Sequence, residues 1–160
     1  MNAKAAVDAA KTWQSVGDYT GLLSCDIGTQ TVNLTVADLG NQTASFNVNC
    51  PQITKIEFVE ITFNSTHGDG TDATKSYSGD LKIELTSPAG KVSELATPRV
   101  CKIEGTNTTT GCGQFNDWKF GSVRHLDEAA SGVWKLKVSD VLAQGSGVWK
   151  TWGLKIHGRP

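Results

Sequence analysis

The side chains best suited to acid–base chemistry lie in the stretch 111–140, GCGQFNDWKFGSVRHLDEAASGVWKLKVSD, which holds a histidine, several carboxylates and two tryptophans. His125 is the best candidate base, because two carboxylates follow it within three residues. A catalytic triad also needs a nucleophile within hydrogen-bond reach of the base, and the sequence has no Gly-x-Ser-x-Gly elbow. His67 lies in a Gly- and Asp-rich loop and His157 on the outward face of the last predicted strand. We therefore predict no catalytic residues; the alternative for this stretch is a set of core aromatics and turn-fixing carboxylates.

Oxygen-rich loops favour metal binding over catalysis. Asp69 and Asp72 lie in the loop NSTHGDGTD, and Asp80, Asp117 and Asp140 stand at predicted strand ends or beside turns. Calcium takes about six to eight oxygen ligands, and such loops can converge at one end of a β-sandwich. Each of these residues can equally cap a turn through nearby backbone N–H groups. Both interpretations stay open, with calcium as the expected cofactor.

An exposed tryptophan could stack on the apolar face of a sugar. Trp134 and Trp152 fall on the inward phase of their strands, and Trp118 is also expected in the core. Trp149 stands in a glycine-flanked segment and is the candidate for a free ring. The alternative function, a module that binds glycans or a protein substrate, depends on Trp149.

The four cysteines, Cys25, Cys50, Cys101 and Cys112, contain no Cys-x-x-Cys pair and suit neither zinc nor redox chemistry. Sequential pairing is the simplest of the three connectivities, and each such closed loop is worth roughly 3 kcal/mol. Disulfides are typical of oxidising compartments, so we expect a secreted or periplasmic protein.

The amino-acid composition limits the classes of partner that are expected. The 160 residues include 15 basic and 16 acidic side chains, which gives no electrostatic reason to expect nucleic acid or an anionic membrane surface. No apolar run approaches the ~20 residues needed to cross a bilayer. The length fits one domain with a sizeable core.

The apolar pattern changes along the chain from a helical period to a period of two. Residues 2–14 carry a stripe of mostly small side chains at helical spacing. From residue 31 onward at least seven short segments alternate apolar and polar residues, with turn signals between them. A phase change within ITKIEFVEITF, residues 53–63, indicates a β-bulge or a strand buried on both sides. We predict an all-β antiparallel sandwich with one N-terminal helix.

Four segments in order resemble a known family. They are YSGDLKIELTSPAGKVSEL, FNDWKF, HLDEAASGVWKLKVSD and GVWKTWGLKIHG, and together they span 77–158. They are similar to the P domain (Homo B domain) of the proprotein convertases, the kexin- and furin-like subtilases. The helix NAKAAVDAAKTW resembles the last helix of a subtilase catalytic domain. The resemblance implies a galactose-binding-like jelly roll over 18–160, preceded at 1–17 by a catalytic-domain remnant and linker.

The same resemblance implies a function without chemistry of its own. A P domain supports the folding, stability and activity of the serine protease domain in the same polypeptide. The resemblance also implies that Cys25 pairs with Cys50. A bond between Cys101 and Cys112 is less typical of the family. Ser78 replaces the arginine of the family's Arg-Gly-Asp segment, so any role of that arginine does not transfer. Asp80 is expected to order the start of a strand or to bind calcium with Asp117 or Asp140.

Overall fold

The structure is a computed structural model that describes residues 3–12, 21–68 and 75–160. Within these residues a helix, α1 (Ala3–Ala10), precedes ten strands. The strands are β1 (Leu23–Val36), β2 (Asn41–Val48), β3 (Lys55–His67), β4 (Leu81–Thr86), β5 (Val92–Ala96), β6 (Cys101–Lys102), β7 (Thr109–Thr110), β8 (Phe115–Ser122), β9 (Gly132–Asp140) and β10 (Gly147–Arg159). The predicted boundary between residues 17 and 18, and Trp13 of the predicted helix, lie outside the described residues.

The strands form two four-stranded sheets that pack as a sandwich. The first sheet has the order β1-β10-β3-β8 and the second the order β2-β9-β4-β5, while β6 and β7 form a separate hairpin. Every pairing between these strands is antiparallel. Apart from the β4–β5 hairpin, neighbours in each sheet come from distant parts of the sequence, as the crossing connections of a jelly roll require. The predicted all-β sandwich is confirmed.

The core lies between the sheets because one side chain in two points inward along each strand. In β4 and β9 the inward residues are almost completely buried. Phe46 of the second sheet meets Trp152 of the first, with ring centroids 4.3 Å apart. Burial of a large apolar side chain is worth about 1.5–3 kcal/mol, so this interface dominates the stability of the sandwich.

The predicted irregularity near the start of β3 is a bulge. Pairing with β10 passes from Phe58 opposite His157 to Ile56 opposite Gly158, so Glu57 has no partner in the ladder. The extra residue lets both Ile56 and Val59 point into the core, while Phe58 is 36% exposed.

Both disulfides follow the sequential pairing, Cys25–Cys50 and Cys101–Cys112. Cys25 lies on β1 of the first sheet and Cys50 follows β2 of the second, so this bond ties the two sheets together. The other bond closes the β6–β7 hairpin.

One core prediction is wrong. Trp134 and Trp152 are buried, as expected, but Trp118 is 52% exposed. Trp118 lies on β8, which pairs with β3 on one side only. Its ring contacts Phe115 and Phe120, on a strand at the edge of the sheet.

Helix α1 has one charged side and one apolar side, and none of its residues is buried. Lys4 and Lys11 both pair with Asp8 on one side. The small apolar residues, including Ala6 and Val7, occupy the other side, and Val7 is 58% exposed. No helix in the described residues is long and apolar enough to span a membrane.

Candidate functional site

A buried hydrogen bond joins the two sheets at one end of the sandwich. His67, the last residue of β3, donates from Nε2 to Oδ2 of Asp140, the last residue of β9, over 2.9 Å. The two side chains are 1% and 0% exposed. The sequence predicted His67 in a loop, whereas it is the last residue of β3. Phe63, Ser65 and His67 are alternate residues of this strand, and all three point inward. Continuing that alternation would have predicted the burial.

The surroundings hold His67 in place. Its backbone N–H donates to Gln114 Oε1 over 2.6 Å, and its carbonyl accepts from the Tyr77 backbone N–H over 3.0 Å. A side chain at Gly147 would collide with the imidazole at Nδ1. Both oxygens of Asp140 are also hydrogen-bonded, because the second one accepts from the Leu142 N–H over 3.2 Å. The pair is therefore a structural link, with no free face for a substrate.

Of the five predicted calcium ligands, the structure brings together Asp80 and Asp140. Burial, and next the charge of Asp140, raise the pKa of Asp80 above its ordinary value, with Asp38 acting in the same direction and His67 opposing it. Within the described ranges no three His, Cys, Asp or Glu side chains form a group that could hold a metal ion. Asp140 is already bonded at both oxygens. Asp69 and Asp72 lie outside the described residues.

Asp117 takes part in a different cluster, on β8 of the first sheet. It has a positive φ of 45°, a conformation that Asp and Asn tolerate better than most residues. Its N–H donates to Asn64 Oδ1 over 2.7 Å, and the Asn64 amide donates to Asp117 Oδ1 over 2.9 Å. Asn64 also donates to Thr151 Oγ1 over 2.9 Å, so one amide joins three strands. Asp117 fixes an irregular strand, in line with the turn interpretation.

This cluster lines a groove of about 590 Å3, hereafter the polar groove. It crosses all four strands of the first sheet, and its lining is Thr29, Asn64, Ser65, Thr66, Gln114, Phe115, Asn116, Asp117, Lys150 and Thr151. The ladder between β3 and β8 breaks here, since β8 advances from Phe115 to Trp118 while β3 retreats only from Ser65 to Phe63. No motif in the sequence indicates this groove, because it is assembled from bulges on separate strands.

His125, the candidate base, is buried against an aromatic ring. It is 0% exposed, and its ring meets Trp134 edge-on at 5.0 Å. Neither ring nitrogen has a hydrogen-bond partner, and Nδ1 lies 3.7 Å from Glu128 Oε2. Burial lowers the pKa of His125; Glu128 opposes this shift, whereas Lys91 and Arg124 add to it. His125 is therefore a neutral core side chain at neutral pH.

No described histidine is hydrogen-bonded to a serine, threonine or cysteine side chain. His67 is paired with Asp140, and His157 lies beside Phe58 at 6.0 Å between ring centroids. The described part of the chain therefore contains no arrangement of the triad type, which needs a base bonded to its nucleophile.

The prediction of a free ring at Trp149 is wrong. Trp149 is 0% exposed and packs between Phe63 and Trp152, with centroids 5.9 and 6.3 Å away. Its indole N–H donates to the Thr151 carbonyl over 3.2 Å. The bulge between Trp149 and Thr151 turns the indole inward, which the flanking glycines did not reveal.

Comparison with known proteins identifies the family. The family model for the proprotein convertase P-domain matches residues 56–156. The dibasic-processing endoprotease of Schizosaccharomyces pombe is 29% identical, over 99% of this chain and 21% of its own length. Kexin of Saccharomyces cerevisiae is 28% identical over 99% of this chain and 18% of its own. The chain thus spans about a fifth of the length of these curated relatives.

A solved structure shows the same fold. The serine protease of Aeromonas sobria, crystallised in complex with a chaperone, superposes with a TM-score of 0.68 at 21% identity, over 97% of this chain and 29% of that protein. The family match covers well over half of the sequence, and the sandwich agrees with it. This chain belongs to the proprotein convertase P-domain family.

Proposed function

We propose that this chain acts as the non-catalytic P domain of a secreted subtilisin/kexin-like serine endopeptidase, and that it supports the folding, stability and activity of the catalytic domain. The observation that carries this proposal is the P-domain match over residues 56–156 in a chain a fifth as long as the proteases it resembles. The histidines support it, because the described ones serve packing or inter-sheet bonding. The two disulfides support secretion.

The helix α1 supplies a physical reason for a partner domain. Isolated helices shorter than about 12–15 residues are marginal in water, and α1 has eight residues, none of them buried. Its apolar side consists of small residues such as Ala6 and Val7, which allow close approach of another element. We assign that partner to the subtilase catalytic domain of the same polypeptide.

The energy available from such packing is large enough to matter. At about 25 cal/mol per Å2 of apolar surface, burial of several hundred Å2 on each side contributes several kcal/mol. Total domain stability is only about 5–15 kcal/mol. A P domain that packs on its protease can therefore decide whether the catalytic domain is folded.

The test compares the full protease with a variant that lacks residues 20–160. We expect the truncated protease to be inactive or to melt well below the full chain. A point variant, Ala6→Arg, should weaken packing of α1, while Lys4→Ala on the charged side of α1 is the matched control. Normal activity and melting temperature in the truncated protease would refute the proposal.

Structural calcium is a separate proposal, and Asp80 is its best-supported ligand. The raised pKa of Asp80 comes from burial and from the nearby Asp140 charge, and a bound cation would relieve both. Asp117 lies in a separate cluster with Asn64. We expect the melting temperature to rise with free calcium in the wild type and not in Asp80→Asn. Equal melting temperatures with calcium and with chelator would leave these carboxylates with turn roles alone.

A further inference from the structure

The polar groove is built by local departures from regular pairing. The register between β1 and β10 shifts between Asp26 and Thr29, and the register between β10 and β3 shifts at Lys150. A third shift, between β3 and β8, lies next to Asn64. Bulges re-aim side chains and are common beside binding sites. Three bulges line one concave surface that is large enough for a ligand, which indicates a binding site.

Several polar groups in the groove have unused bonding capacity. Asp117 uses one oxygen to accept from Asn64, and its other oxygen makes no hydrogen bond within the described residues. Lys150 is exposed and forms no ion pair with any described side chain. The groove therefore presents a carboxylate, an ammonium group and hydroxyls together.

The lining chemistry selects the class of ligand. Phe115 is the single aromatic or aliphatic residue in the lining, which is too little apolar surface for a lipid. One lysine beside one aspartate gives no net positive charge, so a polyanion has no electrostatic reason to bind. A peptide in extended form would need apolar side-chain pockets as well as free backbone groups, and Phe115 alone offers too little apolar surface for such pockets. A saccharide fits, since each hydroxyl both donates and accepts.

We propose that the polar groove binds a neutral saccharide, with Asp117 accepting and Lys150 donating hydrogen bonds to its hydroxyl groups. Asn116, Thr66 and Thr29 line the same groove and supply amide and hydroxyl partners. The site is independent of the stabilising role proposed above, and it does not involve Trp149.

The test is a titration of the 15N-labelled 160-residue chain, followed by amide chemical shifts. The probes are cellotetraose, xylotetraose, mannotetraose, chitotetraose and tetra-alanine. At least one saccharide should shift the amides of groove residues saturably. Asp117→Asn keeps the acceptor for Asn64 and the tolerance for positive φ while removing the charge. We expect Asp117→Asn and Lys150→Ala each to weaken binding by about tenfold.

Lys137→Ala is the matched control, because it removes an exposed lysine from β9 in the other sheet. It should bind like the wild type. If Asp117→Asn perturbs amides beyond the groove, Lys150→Ala decides, since its side chain supports no described contact. The proposal is overturned if no saccharide shifts the groove amides, if both variants bind as the wild type does, or if only tetra-alanine binds.

Discussion

Replacing His67 by leucine should strongly destabilise the sandwich. The Asp140 carboxylate is 0% exposed and would lose its hydrogen-bond donor from the opposite sheet. Leaving a buried carboxylate without its hydrogen-bond donor costs about 3–5 kcal/mol, because the carboxylate stays buried and uncompensated. For a chain of this length, each kcal/mol lowers Tm by roughly 2–4 °C. We therefore expect Tm to fall by roughly 6–20 °C.

A double variant tests the cause. His67→Gln combined with Asp140→Asn replaces the pair by two neutral amides that can still bond across the sheets. It should be more stable than His67→Leu, although it packs differently. The exposed control is Lys82→Ala, which removes contacts to Glu84 and Glu94 on the surface of the second sheet. Surface pairs of this kind are worth about 0–1 kcal/mol.

The assay is urea unfolding followed by tryptophan fluorescence, with Tm from circular dichroism. The buried tryptophans report on the core next to the pair. A loss below about 1 kcal/mol in His67→Leu, comparable to Lys82→Ala, would show that the pair is not a significant link. Equal stability of His67→Leu and the double variant would show that the unpaired carboxylate is not the cause.

Three further predictions concern charge and cross-links. Burial lowers the pKa of His125 from 6.5, so the unfolded chain is protonated at a higher pH than the folded chain. The unfolding free energy should therefore fall as the pH drops below about 6.5. His125→Phe should remove that slope in urea titrations at several pH values. Because the pKa of Asp80 is raised, its carboxylate opposes folding at neutral pH, and Asp80→Asn should have a higher Tm than the wild type in chelator; a lower Tm would contradict this. Exchanging both Cys25 and Cys50 for serine should cost about 3 kcal/mol in urea unfolding, and an unchanged midpoint would mean that the cross-link adds nothing.

The sequence determined the fold class and the family because both depend on local patterns. The period-two alternation in β4 and β9 indicates which side chains are buried, whatever the neighbouring strand. The ordered motifs from 77 to 158 were enough to indicate a P domain, and the cysteine spacing allowed the simplest pairing, which is the one observed.

The placement of particular side chains depends on the tertiary structure. Trp149 and Trp118 exchanged their expected environments, because a bulge turns Trp149 into the core and an unpaired sheet edge exposes Trp118. The link between His67 and Asp140 joins residues 73 positions apart, and the polar groove combines four strands from across the sequence. Alternation along a strand specifies the face on which a side chain lies, whereas strand order, register and bulges specify its neighbours. Those depend on long-range pairing, which a single sequence does not display.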